Sequence, residues 1–382
     1  MPVCVPVLLK LSKAGCLALN GQNLSTIIHI VFACLFVANM PRLAVCGNNY
    51  AKGLYVFLYL APMNSFASLV QQFETYFLSQ KTFPQQPETL YDPCNYLLKL
   101  GGKRVRPVLC LMGNELFGDI IEDAWHAASG IELFHNFTLI HDDIMDKAPL
   151  RRGHTTVHEK YGLTAGILCG DVMAIYAYRQ MSHVKNALED VLEIFNKTAI
   201  EVCEGQQWDM DFETRADVSI DEYIHMITLK TSVLLAAALK IGAVLGGATD
   251  GNTEKIYEFG KNLGIAFQLQ DDYLDSFGTD KTGKQNGGDI KSNKKTYLLL
   301  KALENATNEQ RNAINTLLET DSENKVTEML ELFKTTGADA ACRELVNLYS
   351  NRAFDCLDQI AVLSKRKQPL HDLASYLLQR DK

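Results

Sequence analysis

Apolar residues recur every three to four positions along most of the chain, which is the spacing of one face of an α-helix. The clearest runs cover residues 234–244, 256–267, 326–333 and 345–357. Alternation of apolar and polar residues, which would indicate β-strands, is scarce. The pattern therefore predicts an all-α fold, a single large bundle of roughly ten or more helices that encloses a central cavity.

The first 62 residues follow a different pattern. They contain four Lys or Arg and no Asp or Glu, whereas the rest of the chain has 33 basic and 45 acidic residues. Residues 27–38 are apolar apart from His29 and could form the core of a signal peptide, but they are too few to span a membrane. Met63 precedes an amphipathic stretch and is a better start for a protein. We predict an N-terminal extension, 1–62, outside the fold, and one domain, 63–382; a targeting segment is the alternative.

Composition narrows the class of protein further. Charged residues make up 21% and hydrophobic residues 47% of the chain, which suits a soluble globular domain with no stable membrane insertion. The net charge of −8 gives no basis for a nucleic-acid partner. The ten cysteines show no Cys-x-x-Cys spacing, so neither a zinc site nor a disulfide framework is indicated. Reduced thiols in the cytoplasm are the simplest interpretation.

Two copies of the pattern Asp-Asp-x-x-Asp begin at Asp142 and Asp271. On a helix, Asp142 and Asp146 would share one face, and so would Asp271 and Asp275. Each pair suits Mg²⁺, which prefers a few carboxylates together with water and phosphate oxygens. One such motif alone is more often a solvated helix end. Both copies, however, follow strongly apolar runs, and negative charge at the end of a buried helix is costly without cations.

Basic residues flank the first acidic motif on both sides. Before it lies the segment 101–107, with the sequence Gly-Gly-Lys-Arg-Val-Arg-Pro, and after it comes Arg151-Arg152-Gly153. Arginine forks match phosphate oxygens, and lysine adds a compact charge. Glycine suits a helix C-terminus and proline the first turn of a new helix, so we expect Lys103 and Arg106 in a short loop between two helices.

The order of these motifs resembles the polyprenyl synthetase (trans-isoprenyl diphosphate synthase) family. The sequence contains G-G-K-R-x-R-P, then D-D-x-x-D-x-x-x-x-R-R-G, then F-Q-x-x-D-D-x-x-D, and the resemblance extends from about residue 65 to the C-terminus. It implies an all-α, homodimeric prenyltransferase. Such an enzyme uses Mg²⁺ to join isopentenyl diphosphate head to tail to an allylic diphosphate, which ionises to a carbocation.

The resemblance also implies roles for individual residues. The Mg²⁺ ligands would be Asp142, Asp146, Asp271 and Asp275. The ionising carbon would be lined by Lys230, Thr231 and Gln268. The allylic diphosphate would be bound by Arg151, Lys284 and Lys294, with the two lysines on a flexible lid. The isopentenyl diphosphate would be bound by Lys103, Arg106, His135 and Arg152. The remaining acidic residues, Asp143 and Asp272, point to other sides of their helices and would support the site indirectly.

Product length depends in this family on residues just before the first acidic motif. Here Thr138 and Phe137 occupy the fourth and fifth positions before it. An aromatic residue only at the fifth position resembles enzymes that stop at twenty carbons, so geranylgeranyl diphosphate is the expected product. Phe134 is an alternative floor, because it lies about 80° from Asp142 around an ideal helix, against about 140° for Phe137. Farnesyl diphosphate and longer products remain open, as does a purely structural role for both aromatic residues.

Two other classes of protein share part of this pattern. A terpene cyclase also uses Mg²⁺ and an acidic helix motif, but the second full acidic motif together with Lys103 and Arg106 favours chain elongation. A non-catalytic subunit of a heteromeric synthase is the alternative that is not an enzyme. Such a subunit would be expected to lose acidic or basic positions, and none is lost here.

Overall fold

Helices account for most of the residues that the structure, a computed structural model, describes, which are 63–278, 287–320 and 322–378. In chain order the first six helices are α1 Phe66–Ser79, α2 Glu88–Lys99, α3 Val105–Phe117, α4 Glu122–Met145, α5 Val157–Tyr161 and α6 Leu163–Met181. The next five are α7 Leu188–Thr214, α8 Ile220–Ile227, α9 Val233–Leu245, α10 Asp250–Phe277 and α11 Gly288–Lys291. The last five are α12 Tyr297–Asn305, α13 Asn308–Glu319, α14 Lys325–Thr335, α15 Ala338–Asp358 and α16 Ser364–Leu378.

Strands within the described residues amount to one short antiparallel hairpin. Its strands are β1 Leu150–Arg151 and β2 His154–Thr155, in which Leu150 pairs with Thr155 and Arg151 with His154. The predicted all-α class is therefore confirmed. The hairpin directly follows the first acidic motif, so it fixes the backbone of Arg151 next to the end of α4.

Helix α9 forms the centre of the bundle. Nearly all of its residues are buried, and it packs against α3, α7, α10 and α4. The backbones of α3 and α9 approach closely, since a side chain at Gly242 would collide with the carbonyl oxygen of Cys110. The continuous run Ile220–Leu245 is long and apolar enough to cross a membrane, but 72% of its most apolar window is buried inside the protein. This run is therefore a core element of the bundle.

The two acidic motifs lie at the C-terminal ends of the two long helices α4 and α10. Helix α4 packs along α6, and α10 packs along α15 and α9. Buried apolar residues anchor each helix over its length, among them Phe134 and Ile140 in α4 and Leu263 and Leu269 in α10. Packing along the helix therefore positions the carboxylates at its end.

The C-terminal helix is tied to the N-terminal half of the domain by one buried arginine. Arg366 in α16 donates hydrogen bonds to the carbonyl oxygens of Glu115, Leu116 and Gly118 at the end of α3. The last carbonyls of a helix have no partner within the helix, and a charged donor satisfies them well. This contact joins residues about 250 positions apart in the sequence.

Candidate active site

The first acidic motif is held by basic side chains from two other elements. Asp143 is buried, and both of its carboxylate oxygens accept from the Arg151 Nε, at 2.7 and 2.8 Å. The same guanidinium donates through Nη2 to Asp142 at 3.1 Å. Lys230 places its ammonium 3.2 Å from the other oxygen of Asp142. The carboxylates would otherwise be poorly tolerated here, because the C-terminus of a helix carries partial negative charge.

Asp146 follows the last residue of α4 and lines a cavity of about 510 Å³ together with Asp209 and Lys294. Desolvation and the nearby Asp142 carboxylate raise the pKa of Asp146. Desolvation lowers the pKa of the Lys294 ammonium, but the carboxylates of Asp289 and Asp146 more than offset it, so the pKa lies above its usual value. The cavity thus contains several carboxylates of like charge that a bound cation would stabilise.

A short π-helical segment, Thr228–Ser232, joins α8 to α9 and reaches both acidic motifs. Lys230 forms ion pairs with Asp142 and, at 2.5 Å, with Asp209 of α7. The next residue, Thr231, donates to the Gln268 side-chain oxygen at 3.1 Å. Gln268 in turn donates to Asp272 at 2.9 Å. Two consecutive residues of one π turn therefore connect the motif on α4 to the motif on α10, and π turns often occur at functional sites.

Glycines in the neighbouring helices allow this π segment to lie against backbone. A side chain at Gly205 of α7 would collide with the Lys230 backbone nitrogen, and one at Gly264 of α10 would lie 2.7 Å from the Ser232 Cα. Such contacts are shorter than any van der Waals distance, so only glycine fits. The position of Lys230 and Thr231 is therefore fixed by close packing on two sides.

The second acidic motif divides into residues with different surroundings. Asp272 is buried and accepts hydrogen bonds from the Tyr223 hydroxyl and from Gln268. Burial and the nearby Asp289 raise the pKa of Asp272 to about 7, although these hydrogen bonds oppose the shift. The carboxylate of Asp275 accepts the backbone N–H of Asp289 at 2.8 Å. Asp271 is partly buried on the same helix, one turn before Asp275.

A basic cluster forms where α3 and α4 meet the hairpin. Arg106 Nη1 lies 3.1 Å from His135 Nε2, and Arg151 and Arg152 are close enough to act on the same imidazole. Burial and the Arg106 charge hold the pKa of His135 well below its usual range, so the ring is neutral and can accept from Arg106. Burial lowers the pKa of Arg106 to about 10. Concentrated positive charge of this kind suits a polyanionic ligand.

The loop before α3 differs in one respect from the sequence-based expectation. Lys103 lies in the loop, as predicted, and is exposed, but Arg106 lies in the first turn of α3, which begins at Val105. The prediction of a loop position for Arg106 was wrong because the helix starts two residues before Pro107. Arg152 donates to the Gly101 carbonyl oxygen and packs against Gly102, so it closes this loop over the cluster.

The candidate chain-length residues are packed in three different ways. Phe134 is buried against Phe195 of α7, with ring centroids 5.3 Å apart. Phe137 is partly buried and meets the His141 ring edge to face at 4.9 Å. The Thr138 hydroxyl donates to the carbonyl oxygen of His135 at 2.8 Å within α4. Phe134 is thus the residue held most firmly by its neighbours.

Sequence reasoning missed three residues that the structure places in or beside the site, namely Asp209, Tyr223 and Asp289. Each partners a predicted residue that lies between 14 and 49 positions away in the sequence. Asp209 follows Gly205, Gln206 and Gln207 on a helix, and its sequence surroundings give no sign of an ion pair. Lys284, which was predicted to bind the allylic diphosphate, lies outside the described residues.

Among the described residues, no three carboxylates, imidazoles or thiolates converge into a preformed metal cage. This arrangement still suits Mg²⁺, which takes few protein ligands and completes its shell with water and phosphate oxygens. Two observations support the fit. Asp142 Oδ1 is buried and, although the Lys230 ammonium lies 3.2 Å away, accepts no well-oriented hydrogen bond within the described part of the chain. The donors at the site are carboxylate oxygens, the ligands that a hard cation prefers.

Comparison with known proteins yields related sequences over most of the chain. Residues 87–335 match the family described as Polyprenyl synthetase. A geranylgeranyl diphosphate synthase of Methanosarcina mazei is 45% identical over 57% of this chain and 69% of its own length. One of Sulfolobus acidocaldarius is 38% identical over 77% of this chain and 91% of its own. A solved structure of a geranylgeranyl pyrophosphate synthase, 44% identical, superposes with a TM-score of 0.79 over 84% of this chain and 100% of its own.

Proposed function

Because the chain belongs to the polyprenyl synthetase family, we propose that it joins isopentenyl diphosphate to an allylic diphosphate head to tail, with Mg²⁺ as the metal and geranylgeranyl diphosphate as the product. The observation that carries this proposal is the linkage of the two acidic motifs through Lys230 and Thr231. The linkage brings an ammonium, carboxylates and an amide together, and Asp209, the second partner of Lys230, also lines the cavity that contains Asp146 and Lys294.

The two groups of charges suit two diphosphates. Asp142 and Asp146 from α4, with Asp271 from α10, would hold Mg²⁺ against the allylic diphosphate. When bound, Mg²⁺ would neutralise charge on the leaving diphosphate. Arg151 keeps the α4 carboxylates oriented through its bonds to Asp142 and Asp143. Lys294, beside Asp146 in the same cavity, would contact the diphosphate oxygens directly.

The second diphosphate, that of isopentenyl diphosphate, fits the cluster of Arg106, His135, Arg152 and Lys103. Within the described residues the buried Nε of Arg106 has no hydrogen-bond partner, so this donor is available to a ligand. His135 accepts from one end of the Arg106 guanidinium. Because the imidazole is neutral, it does not cancel the positive charge of Arg106. Phosphate oxygens would satisfy the Nε and relieve the repulsion among the arginines.

Thr231 and Gln268 lie between the two acidic motifs and suit stabilisation of an allylic cation. The Thr231 hydroxyl donates to Gln268, which orients the amide by fixing its oxygen. The Lys230 ammonium is neutralised by Asp142 and Asp209, so it does not oppose the developing positive charge as a free ammonium would. The departing diphosphate would take the proton that completes the condensation.

A twenty-carbon product agrees with the names of the relatives from Methanosarcina mazei and Sulfolobus acidocaldarius. It also agrees with an aromatic residue at Phe137 beside the smaller Thr138. Farnesyl and longer prenyl diphosphates are the alternative products, since the packing of Phe134 against Phe195 offers a second position at which growth could stop.

The test is a condensation assay on the purified protein. The protein receives Mg²⁺, isopentenyl diphosphate and, in separate reactions, allylic diphosphates of five, ten and fifteen carbons, and the products are sized by chromatography. We expect a twenty-carbon diphosphate, no product after chelation of Mg²⁺, and a rate at least about 10²-fold lower for Asp142→Ala. No condensation with any primer would remove the proposal. Cyclic hydrocarbon from geranylgeranyl diphosphate would indicate a cyclase, and activity only with a second polypeptide would indicate a subunit.

We further propose that the protein acts in the cytoplasm as a homodimer. The six cysteines among the described residues are all unpaired, as expected in a reducing compartment. Helix α6 presents a row of large apolar side chains to solvent, which suits contact with a second copy.

A further inference from the structure

We propose that Asp275 is a positioning residue that holds the segment carrying Lys294, and that it is not a ligand of Mg²⁺. This inference rests on the proposed function of the site, and it revises the role that the sequence assigns to the last aspartate of the second acidic motif. Its basis is the hydrogen bonding of the Asp275 carboxylate.

Asp275 lies in the last turn of α10 and is bonded twice to the segment that begins at Gly287. Its backbone carbonyl accepts the Gly287 N–H at 2.7 Å, and its carboxylate Oδ2 accepts the Asp289 N–H at 2.8 Å. The Asp289 N–H belongs to the first turn of α11, where N–H groups have no partner inside the helix and negative charge is favoured. The carboxylate therefore acts as a cap for a helix that follows it in the chain.

The surroundings of the second carboxylate oxygen also point to packing. A Cβ atom at Gly288 would lie 3.2 Å from Asp275 Oδ1, so a larger residue at the start of α11 would crowd the carboxylate that caps this helix. One oxygen is thus committed to the hydrogen bond that caps α11, and the other lies on the side of Gly288. Both observations assign the carboxylate to the start of α11.

The tether leads through two hydrogen bonds to a lysine in the cavity. Asp275 holds Asp289, whose carbonyl oxygen accepts the Lys294 N–H at 2.9 Å. Asn293 fixes the same turn from outside by donating from its side chain to the Leu318 carbonyl oxygen at 3.0 Å. The Lys294 side chain then lines the cavity with Asp146 of the first motif. Asp275 would therefore act on the diphosphate through Lys294.

Substitution by asparagine separates the two roles. An asparagine at 275 keeps an oxygen that accepts the Asp289 N–H, but it loses the charge that a Mg²⁺ ligand supplies. Alanine at 275 removes both. The comparison uses Asp275→Asn, Asp275→Ala and Asp271→Asn, with the exposed Asp190→Asn in the first turn of α7 as a control remote from the site.

Two measurements are made on each full-length variant. The first is amide hydrogen exchange of the peptide that covers residues 287–296, which reports the tether without any need for activity. For Asp275→Asn we expect exchange within about threefold of the wild type, and for Asp275→Ala about tenfold faster exchange, the size expected for a lost helix cap. Asp190→Asn and Asp271→Asn should exchange in this peptide as the wild type does.

The second measurement is the condensation rate as a function of Mg²⁺ and of allylic diphosphate. Asp275→Asn should keep kcat and the Mg²⁺ dependence within about threefold, whereas Asp271→Asn should lose about 10²-fold in kcat and need more Mg²⁺. Asp275→Ala should raise KM for the allylic diphosphate about tenfold without a change in Mg²⁺ dependence, because Lys294 is released.

Two results would overturn the inference. One is a loss of activity and a higher Mg²⁺ requirement in Asp275→Asn that match those of Asp271→Asn, which would make Asp275 a metal ligand. The other is unchanged exchange in Asp275→Ala, which would show that the carboxylate holds nothing. If the wild-type protein condenses no substrate, the proposed function fails, while the exchange of the Asp275 variants still decides whether the tether exists.

Discussion

At the scale of single residues, function depends on side chains that have two partners at once. Lys230 contacts Asp142 and Asp209, and Gln268 contacts Thr231 and Asp272. Removing one member of such a set leaves a buried polar group without its partner, which costs more than the bond itself contributes. Substitutions in this network should therefore change the geometry of several groups together.

His135 gives a prediction on pH and stability. Burial and the charges of Arg106, Arg152, Arg151 and Arg104 hold its pKa well below the usual value. In the unfolded chain the ring takes up a proton near pH 6.5, whereas in the folded protein it stays neutral to much lower pH. Stability from this residue is therefore present above about pH 6.5 and is lost as the pH falls toward the folded-state pKa.

The variant His135→Gln keeps a hydrogen-bond acceptor for Arg106 but cannot titrate. Urea unfolding at pH 8 and at pH 5.5 should show that the wild type loses about 1 kcal/mol more than the variant over this interval. Other titrating groups contribute equally to both proteins and cancel in the difference. Parallel pH dependence in the two proteins would mean that His135 is protonated in the folded state, contrary to the prediction.

The sequence predicts which charged residues lie at the site, but it does not predict which residues form hydrogen bonds or ion pairs with them. The spacing of Asp142 and Asp146 predicts a shared helix face because helical geometry is local. Lys230 pairs with Asp209 because the π segment packs against α7, and Asp275 pairs with Asp289 because α11 lies beside the end of α10. Neither contact follows from the local spacing of residues in the sequence. The structure also distinguishes Asp275 from Asp271, two residues that the sequence motif treats alike.

At the scale of elements, the π segment Thr228–Ser232 decides where Lys230 and Thr231 point. A π turn inserts one residue into a helix and rotates the residues around it relative to those that follow. Here the two consecutive side chains reach motifs on different helices. The segment can lie so close to α7 only because Gly205 has no side chain.

The variant Gly205→Ala tests the importance of this close approach. The added methyl group would collide with the Lys230 backbone nitrogen and push the π segment away from α7. A displacement of about 1 Å at a catalytic group can cost 10²-fold in rate, so we expect kcat to fall by about that factor, measured in the condensation assay. The matched control is Gly251→Ala in α10, where an added methyl group meets no atom within 4 Å.

The control should keep its full rate and melt at the same temperature or higher, because alanine favours a helix over glycine by about 1 kcal/mol. Wild-type activity in Gly205→Ala would show that the π segment can shift without consequence for Lys230. A lower melting temperature with unchanged activity would lead to the same conclusion.

Helices are the part of this structure that the sequence predicts best. Their apolar faces follow the helical period, and α9, α10, α14 and α15 coincide with the four runs that show it most clearly. The start of α3 is less well predicted. Arg106 lies inside the helix because α3 begins at Val105, two residues before Pro107. The π turn has no signature, since its residues are compatible with an ordinary helix.

At the scale of the whole molecule, the sequence divides the chain at residue 63 on charge and composition. The structure confirms the predicted all-α fold class for the domain that follows. A boundary at residue 63 and a leader that is not part of the fold remain predictions, and an N-terminal sequence of the native protein would decide between an extension and a targeting segment. The oligomeric state depends on which apolar helix faces remain on the surface. The helical period of apolar residues in the sequence does not distinguish such a face from one that packs in the core.

Helix α6 presents the surface that we expect to form the homodimer. Five large apolar side chains on it are exposed, with Ile175 at 66% and Leu163 at 57% as the most exposed of them; the others are Ile167, Leu168 and Tyr178. On an ideal helix these five positions fall within about 140° of one another, which makes one continuous face. An exposed apolar face of this size on a soluble protein usually marks a contact with another molecule.

A second copy fits this face because a two-fold dimer brings the same surface of each subunit together, apolar against apolar. Ile175 is the most exposed residue of the face, so the variant Ile175→Asp would place a carboxylate from each subunit in an apolar contact. We expect light scattering to give twice the chain mass for the wild type and a monomer for the variant. The exposed Tyr376→Asp in α16, at 65% exposure, is the control and should remain dimeric. A wild-type monomer, or a variant that stays dimeric, would exclude α6 as the interface.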